Sequence, residues 1–143
     1  FVGDITEINA PVILEELRSD NIVVILPLGK GEDKNTYNVN ADEAAASIAS
    51  ATKAEKMVLL TNVKGIMRNP EDPNSFLSTL TADEARGLIL NNIIQQGMIP
   101  KVEACIEALD KGVKKTHIID ARTPHSLLLE IFTVTGIGTE IIK

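Results

Sequence analysis

The sequence is poor in aromatic residues and contains a single cysteine. Aromatic residues make up 3% of the 143 residues and tryptophan is absent, so the core must be aliphatic. A base-stacking platform for single-stranded nucleic acid is disfavoured, because it needs exposed aromatic rings. The one cysteine, Cys105, cannot form an internal disulfide and lies in an apolar helical stripe. This cysteine usage predicts a buried, inert thiol and a reducing, cytoplasmic compartment.

Excess positive charge and long apolar runs are also missing. The formal net charge is −6, whereas surfaces that bind nucleic acid or anionic membranes carry clustered Lys and Arg. No apolar run approaches the roughly 20 residues of a transmembrane helix. We therefore expect neither nucleic acid nor a membrane as a partner. The chain starts at Phe1 without an initiator Met and without the pattern of a signal peptide, and we interpret it as a piece of a longer protein.

What the sequence does contain is a regular alternation of strand and helix patterns. Apolar, β-branched runs predict buried strands over 21–29, 56–63, 116–120 and 138–143. Amphipathic patterns predict helices from Pro11, over 40–53, from Thr81 to about Asn91, from about Met98, and from His125 to Phe132, with small residues Ala41, Ala45 and Ala49 on one face of the second. Asn40 with Glu43, and Thr81 with Glu84, have the spacing of capping boxes. The alternation predicts one α/β domain with a largely parallel sheet sandwiched by helices.

Ligands of such folds bind beyond the carboxyl ends of the strands, which selects the loops around 29–42, 61–67 and 120–125. The stretch 65–76, with two prolines, is predicted to be a mobile loop. Asn38, Asn40 and Asp42 gather at the start of a helix, where spacing alone favours a cap and a helix-dipole partner over a ligand site. Lys101 in the first turn of a helix beside Gly97 makes an anion site, although a lone lysine is more often simply solvated.

Standard phosphate loops and metal-ligand spacings are not found. "GKGED" is not a Walker sequence, and neither "GKGEDK" nor "GIGTE" completes a dinucleotide fingerprint. His117 and His125 have no metal-ligand spacing with Cys105 or an acidic pair, so we expect no metal held by the protein. The residues by themselves thus predict an α/β ligand-binding domain.

Four motifs in register resemble one family. "YNVNADEAAASIA", "KMVLLTNVKGIM", "GMIPKVEACIEAL" and "HIIDAR", the last followed by "PHSLLLEIFT" and "GIGTEI", are similar to the C-terminal half of the N-acetylglutamate kinases of the amino-acid kinase family. The resemblance covers residues 1–143 and implies the ATP-binding lobe, with the N-terminal substrate lobe absent. It implies phosphorylation of the side-chain carboxylate of N-acetyl-L-glutamate by ATP with Mg²⁺, in arginine biosynthesis.

The resemblance also implies roles for particular residues. Lys101 would neutralise charge on the transferring phosphoryl group, and Asp42 would organise the catalytic lysines. Asn38 and Asn40 would hold acetylglutamate. The nucleotide would contact Thr61, Asn62, Val63, Gly65, Ile66, Met67, Gly97 and Met98.

Two departures accompany the resemblance. Asn62 stands where the family usually has an Asp, which affects the polar contacts of the nucleotide loop but not its backbone. The family's glycine-rich phosphate loop, a second catalytic lysine and a substrate-binding arginine belong to the N-terminal half and are not in this chain. We therefore expect the chain alone to be inactive.

The C-terminal region resembles the arginine-inhibited branch of the family. His117, Glu130 and Gly136 match in spacing the residues that hold L-arginine as a feedback effector. Arginine-sensitive members assemble as hexamers, so the resemblance implies a homo-oligomer for the full-length protein. The alternatives are a stand-alone nucleotide- or arginine-binding regulatory module without catalysis, and another amino-acid kinase such as a carbamate or aspartate kinase.

Overall fold

The computed structural model of the chain describes residues 1–69, 71–94, 96–133 and 136–143. Within these residues the chain alternates between helices and strands: α1 (Ala10–Arg18), β1 (Leu28–Lys30), β2 (Thr36–Asn38), α2 (Ala41–Ala51), β3 (Lys56–Thr61), β4 (Thr79–Thr81), α3 (Ala82–Leu90), α4 (Ile99–Asp110), β5 (Lys115–Asp120), α5 (Ser126–Phe132) and β6 (Thr139–Ile142). Short 3₁₀ turns lie at Pro73–Ser75 and Gln96–Met98. In the described part of the chain, no helix combines the length and the apolar character needed to cross a membrane.

The main sheet has four strands in the order β3-β5-β6-β4. β3 runs parallel to β5, β4 runs parallel to β6, and β5 and β6 are antiparallel. The predicted α/β class with a largely parallel sheet is confirmed. β1 and β2 form a separate antiparallel hairpin.

Helices cover both faces of this sheet. α2, α3 and α4 lie on one face, where α4 contributes Val102, Cys105 and Leu109 to the core together with Ile118 of β5. Burial raises the pKa of the Cys105 thiol to about 12, which agrees with the predicted inert cysteine. α5 lies on the opposite face, against β5. Because helices cover both faces, β5 is buried on both sides, from Thr116 to Asp120.

The predicted strand over 21–29 is wrong. Its regular part is only β1, and the apolar side chains before it are exposed, with Ile22 at 92% and Val24 at 85%. An apolar run becomes a buried strand only where neighbouring strands pair with it. Here β1 pairs with β2 alone among the described residues, and Pro27 interrupts the run with a residue that has no N–H. The sequence pattern reports hydrophobicity but not the presence of a neighbour.

The other predicted strands and helices are confirmed within a few residues, and two short strands, β2 and β4, were not predicted. The capping box at Thr81 and Glu84 is formed in both directions. Asn40 caps α2 by accepting from the backbone N–H groups of Asp42 and Glu43 at 2.9 and 3.2 Å, without the reciprocal bond from Glu43 in the described residues. The fully packed alanines of α2 are Ala44, Ala46 and Ala49, whereas Ala41 is exposed, because the buried face is rotated from the predicted one.

The stretch 65–76 is a hydrogen-bonded loop in its described residues, which exclude Pro70. Met67 forms an antiparallel bridge with Phe76, and the N–H of Arg68 donates to the carbonyl of Ser75 at 2.9 Å. The Ser75 hydroxyl lies within hydrogen-bond distance of two carbonyl oxygens, 2.6 Å from that of Asn69 and 2.7 Å from that of Asp72. The predicted mobility of this loop remains a prediction.

Candidate active site

The N-termini of α2 and α4 meet at the carboxyl edge of two parallel strands. α2 leads into β3 and α4 leads into β5, so each helix runs antiparallel to the strand that follows it. Because β3 and β5 are adjacent and parallel, both helix N-termini point to the same edge. This is the edge at which open α/β sheets bind ligands, and the partial positive charge of both helices is directed toward it.

An ion pair between Asp42 and Lys101 joins the two helix N-termini. Lys101 Nζ lies 3.1 Å from Asp42 Oδ1 and 2.9 Å from Oδ2. The side chains are 20% exposed for Asp42 and 25% for Lys101, so the pair is partly shielded yet reachable from the edge. The Asn40 cap fixes the backbone of Asp42, and both charged residues lie in the first turn of their helices. The lysine is therefore held at a defined position by a partner on another element.

The N-terminus of α4 follows directly on the 3₁₀ turn Gln96–Met98 and carries Lys101 in its first turn. α4 has no side-chain cap, and Pro100 lies in its first turn. A helix N-terminus carries a partial positive charge that attracts anions. Together with Lys101 Nζ, this end of α4 is suited to phosphate oxygens.

An apolar pocket of about 70 Å³ lies beside this edge. It is lined by seven residues from the loop after β3 and from the segment that leads to α4: Val63, Gly65, Ile66, Met67, Ile93, Ile94 and Met98. Met98 directly precedes α4, which places the pocket next to the helix turn that carries Lys101. A flat apolar group could enter the pocket while an attached anion reached the helix N-terminus.

The pocket brings together five of the predicted nucleotide-binding residues: Val63, Gly65, Ile66, Met67 and Met98. Three are not part of it: Thr61 is buried at the end of β3, while Asn62 and Gly97 are exposed. The departure at Asn62 thus falls on an exposed side chain outside the lining. Sequence reasoning missed Ile93 and Ile94. Their apolar character was visible, but only the fold could place this segment against the loop after β3.

Gly65 is the residue on which the shape of this loop depends. Its φ of +144° belongs to a conformation that L side chains rarely adopt. A Cβ at this position would lie 2.5 Å from Thr139 Oγ1 and 2.9 Å from the Phe76 ring. The loop therefore requires glycine for both its conformation and its packing.

Asp120 and Arg122 form a second polar feature at the same edge. Asp120 is in register with Thr61 on β3, and its Oδ1 accepts from the backbone N–H and Nε of Arg122, each at 2.9 Å. The side-chain hydrogen bond from Arg122 holds the pKa of Asp120 at about 2. This carboxylate is occupied within the loop after β5, so its contacts are those of a structural anchor.

The predicted effector residues lie together on the opposite face of the sheet. His117 Nδ1 is 2.6 Å from Glu130 Oε1, with the side chains only 5% and 6% exposed. Glu130 Oε2 accepts from the N–H of Ile137 at 2.7 Å and of Gly138 at 3.0 Å. Burial by itself raises the pKa of Glu130, but these backbone donors and His117 outweigh it, so the pKa lies below its ordinary value.

Gly136 belongs to the same cluster. Its φ is +60°, and a Cβ there would lie 2.8 Å from a Glu130 carboxylate oxygen. His117 Nε2 is buried without a hydrogen-bond partner in the described residues and lies 4.0 Å from Glu140 Oε1. The cluster is a buried carboxylate held by one turn of backbone, beside an imidazole whose Nε2 has no partner among the described residues.

The predicted substrate residues Asn38 and Asn40 are on the exposed side of the hairpin and of α2. Asn38 ends β2, where its backbone N–H donates to the carbonyl of Phe1 and its carbonyl accepts from Gly3. The side-chain oxygen of Asn40 is engaged in the cap. The capping interpretation of Asn40 is confirmed, and a role in substrate binding remains a prediction for both.

Comparison with known proteins defines the class to which this fold and edge site belong. The amino acid kinase family model matches residues 1–120, and the chain belongs to that family. Within it, the chain is 51% identical over 143 residues to the acetylglutamate kinase of Heliobacterium modesticaldum and 50% identical to that of Syntrophomonas wolfei. Each alignment covers 100% of this chain but 48% and 50% of the relatives. The chain thus spans about half the length of the curated relatives it matches.

A solved structure extends this similarity to three dimensions. The N-acetylglutamate synthase from Neisseria gonorrhoeae, complexed with coenzyme A and L-arginine, superimposes with a TM-score of 0.90 at 35% sequence identity. The match covers 100% of this chain and 32% of the synthase chain.

Proposed function

We propose that this chain is the nucleotide-binding half of an acetylglutamate kinase, which phosphorylates the side-chain carboxylate of N-acetyl-L-glutamate with ATP. The observation that carries the proposal is the Asp42–Lys101 ion pair at the junction of two helix N-termini. Phosphoryl transfer needs little covalent chemistry from the protein and depends on positioning and on stabilising negative charge. A lysine fixed by a carboxylate where two helix N-termini meet has the properties that this reaction requires.

In this proposal Lys101 is a catalytic residue and Asp42 a positioning residue. Lys101 Nζ would lie against the oxygens of the transferring phosphoryl group, where charge accumulates in the transition state. Asp42 holds the ammonium in one place while compensating its charge before the nucleotide binds. An unpaired lysine with four rotatable bonds would lose more side-chain entropy on binding.

The apolar pocket is the place we assign to the adenine ring. Its lining by Val63, Ile66 and Met98 fits a flat apolar ring, and its position next to α4 directs the phosphates toward the helix N-terminus. ATP carries Mg²⁺ on its phosphates, where the ion neutralises developing charge. In the described residues no group of three or more His, Cys, Asp or Glu side chains lies together as a metal site.

We further propose that L-arginine regulates the enzyme through the cluster of His117, Glu130 and Gly136. A cationic ligand needs an acidic partner, and Glu130 is a carboxylate of lowered pKa beside Gly136, where a Cβ would lie 2.8 Å from a carboxylate oxygen. L-arginine in the N-acetylglutamate synthase complex, a protein of similar fold, supports this assignment. Because Glu130 is engaged by Ile137 and Gly138, the ligand would have to exchange with part of that network.

The experiment that tests the proposed function has two arms. The first measures ATP binding to the 143-residue chain, and we expect weak but specific binding. The second measures acetylglutamate-dependent ADP formation by this chain and by the protein that includes the coding sequence upstream of Phe1. We expect turnover only with the upstream part, since losing a single charge-stabilising group already costs about two to three powers of ten in rate.

Each result has a defined meaning. Turnover by the 143-residue chain at a rate ordinary for kinases would show that catalysis does not need the upstream part. ATP binding with no turnover in either protein would instead favour a regulatory module without catalysis. An upstream-extended protein that phosphorylates carbamate or aspartate in preference to acetylglutamate would assign it to another amino-acid kinase.

A further inference from the structure

The hydroxyl of Thr139 reaches from β6 into the loop that forms the apolar pocket. Thr139 is the first residue of β6 and is completely buried. Its Oγ1 accepts from the backbone N–H of Ile66 at 2.8 Å and donates to the carbonyl of Leu77 at 2.7 Å. Thr139 is not among the residues that the sequence predicted for the site.

These two hydrogen bonds close a ring at the base of the pocket loop. The N–H of Leu77 donates to the carbonyl of Ile66 at 2.9 Å, and Met67 pairs with Phe76 one step further along. The two sides of the loop are therefore tied to each other by backbone bonds and to β6 by one hydroxyl. Ile66 is 3% exposed, so water has little access to its N–H.

Gly65 shows that the approach of this hydroxyl is built into the loop. Any side chain at position 65 would place a Cβ 2.5 Å from Thr139 Oγ1 and 3.1 Å from the Thr139 backbone nitrogen. Gly65 and Ile66 are both part of the pocket lining. The hydrogen bond between the Thr139 hydroxyl and the N–H of Ile66 thus also sets the position of the pocket backbone.

We propose that Thr139 is a positioning residue for nucleotide binding, which fixes the backbone at Gly65 and Ile66 through its hydroxyl. The identity of the ligand rests on the proposed function, whereas the fixing of the loop rests on the hydrogen bonds alone. A buried N–H that loses its acceptor costs the full desolvation of that group, so the loop would move to find another partner. The pocket would then lose its shape without losing a residue that touches the nucleotide.

Three variants test this inference. Thr139→Val keeps the volume and removes the hydroxyl, and Thr139→Ser keeps the hydroxyl and removes a methyl group. Thr116→Val is the matched control, because Thr116 is also fully buried on the neighbouring strand and its hydroxyl is 3.4 Å from the carbonyl of Ile141, away from the pocket. If Thr139→Val does not fold, Thr139→Cys replaces it, since a thiol is a weak donor and acceptor.

Two measurements are made on each variant: the Kd for ATP and the rate of amide hydrogen exchange at Ile66. For Thr139→Val we expect ATP binding about tenfold weaker and Ile66 exchange about tenfold faster, as for one lost buried hydrogen bond. For Thr139→Ser and Thr116→Val we expect both values within about twofold of the wild type. A general loss of stability would instead raise exchange across β5 and β6 alike.

Equal Kd values for Thr139→Val and Thr116→Val would overturn the inference, as would unchanged Ile66 exchange in Thr139→Val. A wild-type chain that does not bind ATP would defeat the proposed function. In that case the exchange rate at Ile66 still decides whether Thr139 holds the loop, so the two failures are distinguishable.

Discussion

Asp42 and Lys101 are 59 residues apart in the sequence, and their side chains meet through both carboxylate oxygens at 3.1 and 2.9 Å. Each stands in the first turn of a helix that leads into one of two adjacent parallel strands. The topology of the sheet therefore creates the contact, and the contact places a cation between two helix N-termini. The consequences for catalysis can be tested one residue at a time.

The first prediction concerns Lys101. In the protein that includes the upstream sequence, Lys101→Ala should lower kcat by about two to three powers of ten while changing the KM for acetylglutamate far less, because its contact strengthens as charge develops. Steady-state kinetics with both substrates measure this. Lys114→Ala is the control, since Lys114 is an exposed lysine paired with Glu55 at 2.7 Å. If Lys101→Ala kept kcat and changed only KM, Lys101 would not take part in the phosphoryl-transfer step.

The second prediction concerns its partner. Asp42→Asn keeps the size and an acceptor oxygen but removes the charge that holds the ammonium, so Lys101 should be less well placed. We expect kcat to fall roughly ten- to a hundredfold, the effect of a small misplacement in an active site. In the double variant with Lys101→Ala, Asp42→Asn should have little further effect, because the two residues act as a unit. If the effects of the two substitutions on kcat were fully additive, Asp42 would not act through Lys101, and only its interaction with the helix dipole would remain.

The third prediction is a pH dependence of stability that originates at Asp120. The hydrogen bonds from Arg122 lower the folded-state pKa of Asp120 from 3.8 to about 2. A lowered folded pKa contributes stability that is fully present above the unfolded value and is lost as the pH falls toward the folded one. The difference in unfolding free energy between wild type and Asp120→Asn should thus be constant from neutral pH to about pH 5 and shrink between about pH 4 and pH 2.

Urea unfolding at a series of pH values measures this difference. Arg122→Ala should reduce the pH dependence in the same window, because it removes the main cause of the shift. A difference between wild type and Asp120→Asn that stays the same down to pH 2.5 would mean that the carboxylate is not held as described.

The sequence predicted most of this fold because its signals are local. The capping pair Thr81 and Glu84 and the apolar runs of β3 and β5 are read from neighbouring residues, and the structure has them where they were expected. The run over 21–29 was misassigned because burial depends on what packs against it, and Ile22 is exposed. The hydrophobic pattern of a segment does not tell which other elements pack against it in the fold.

For the candidate site, too, the sequence predicted individual residues but not the contacts between them. Spacing alone identified Lys101 as a helix N-terminal cation, but the distance to Asp42 depends on how α2 and α4 pack. Only the resemblance to a family suggested that the two act together. Thr139 had no sequence signal, because a buried threonine in a strand looks like any β-branched residue. Its role is visible only in the hydrogen bond to Ile66.

The last prediction concerns regulation by L-arginine. Glu130 is the only acidic group that contacts His117 within hydrogen-bond distance in the described residues, and it also holds the turn at Ile137 and Gly138. Glu130→Gln keeps an acceptor for that turn and removes the negative charge that a cationic ligand needs. We expect the half-inhibition concentration of L-arginine to rise by about tenfold or more, the equivalent of one charge-assisted hydrogen bond.

The measurement is an arginine titration of the protein that includes the upstream sequence, with each variant scaled to its own uninhibited rate so that any change in basal activity cancels. Glu55→Gln is the control, because Glu55 is an exposed carboxylate paired only with Lys114 in the described salt bridges. The coupling between such an effector site and the edge that carries Lys101 is typically about 1–3 kcal/mol. Equal half-inhibition concentrations for wild type and Glu130→Gln would remove Glu130 from the effector site, and a wild type insensitive to L-arginine would remove the site itself.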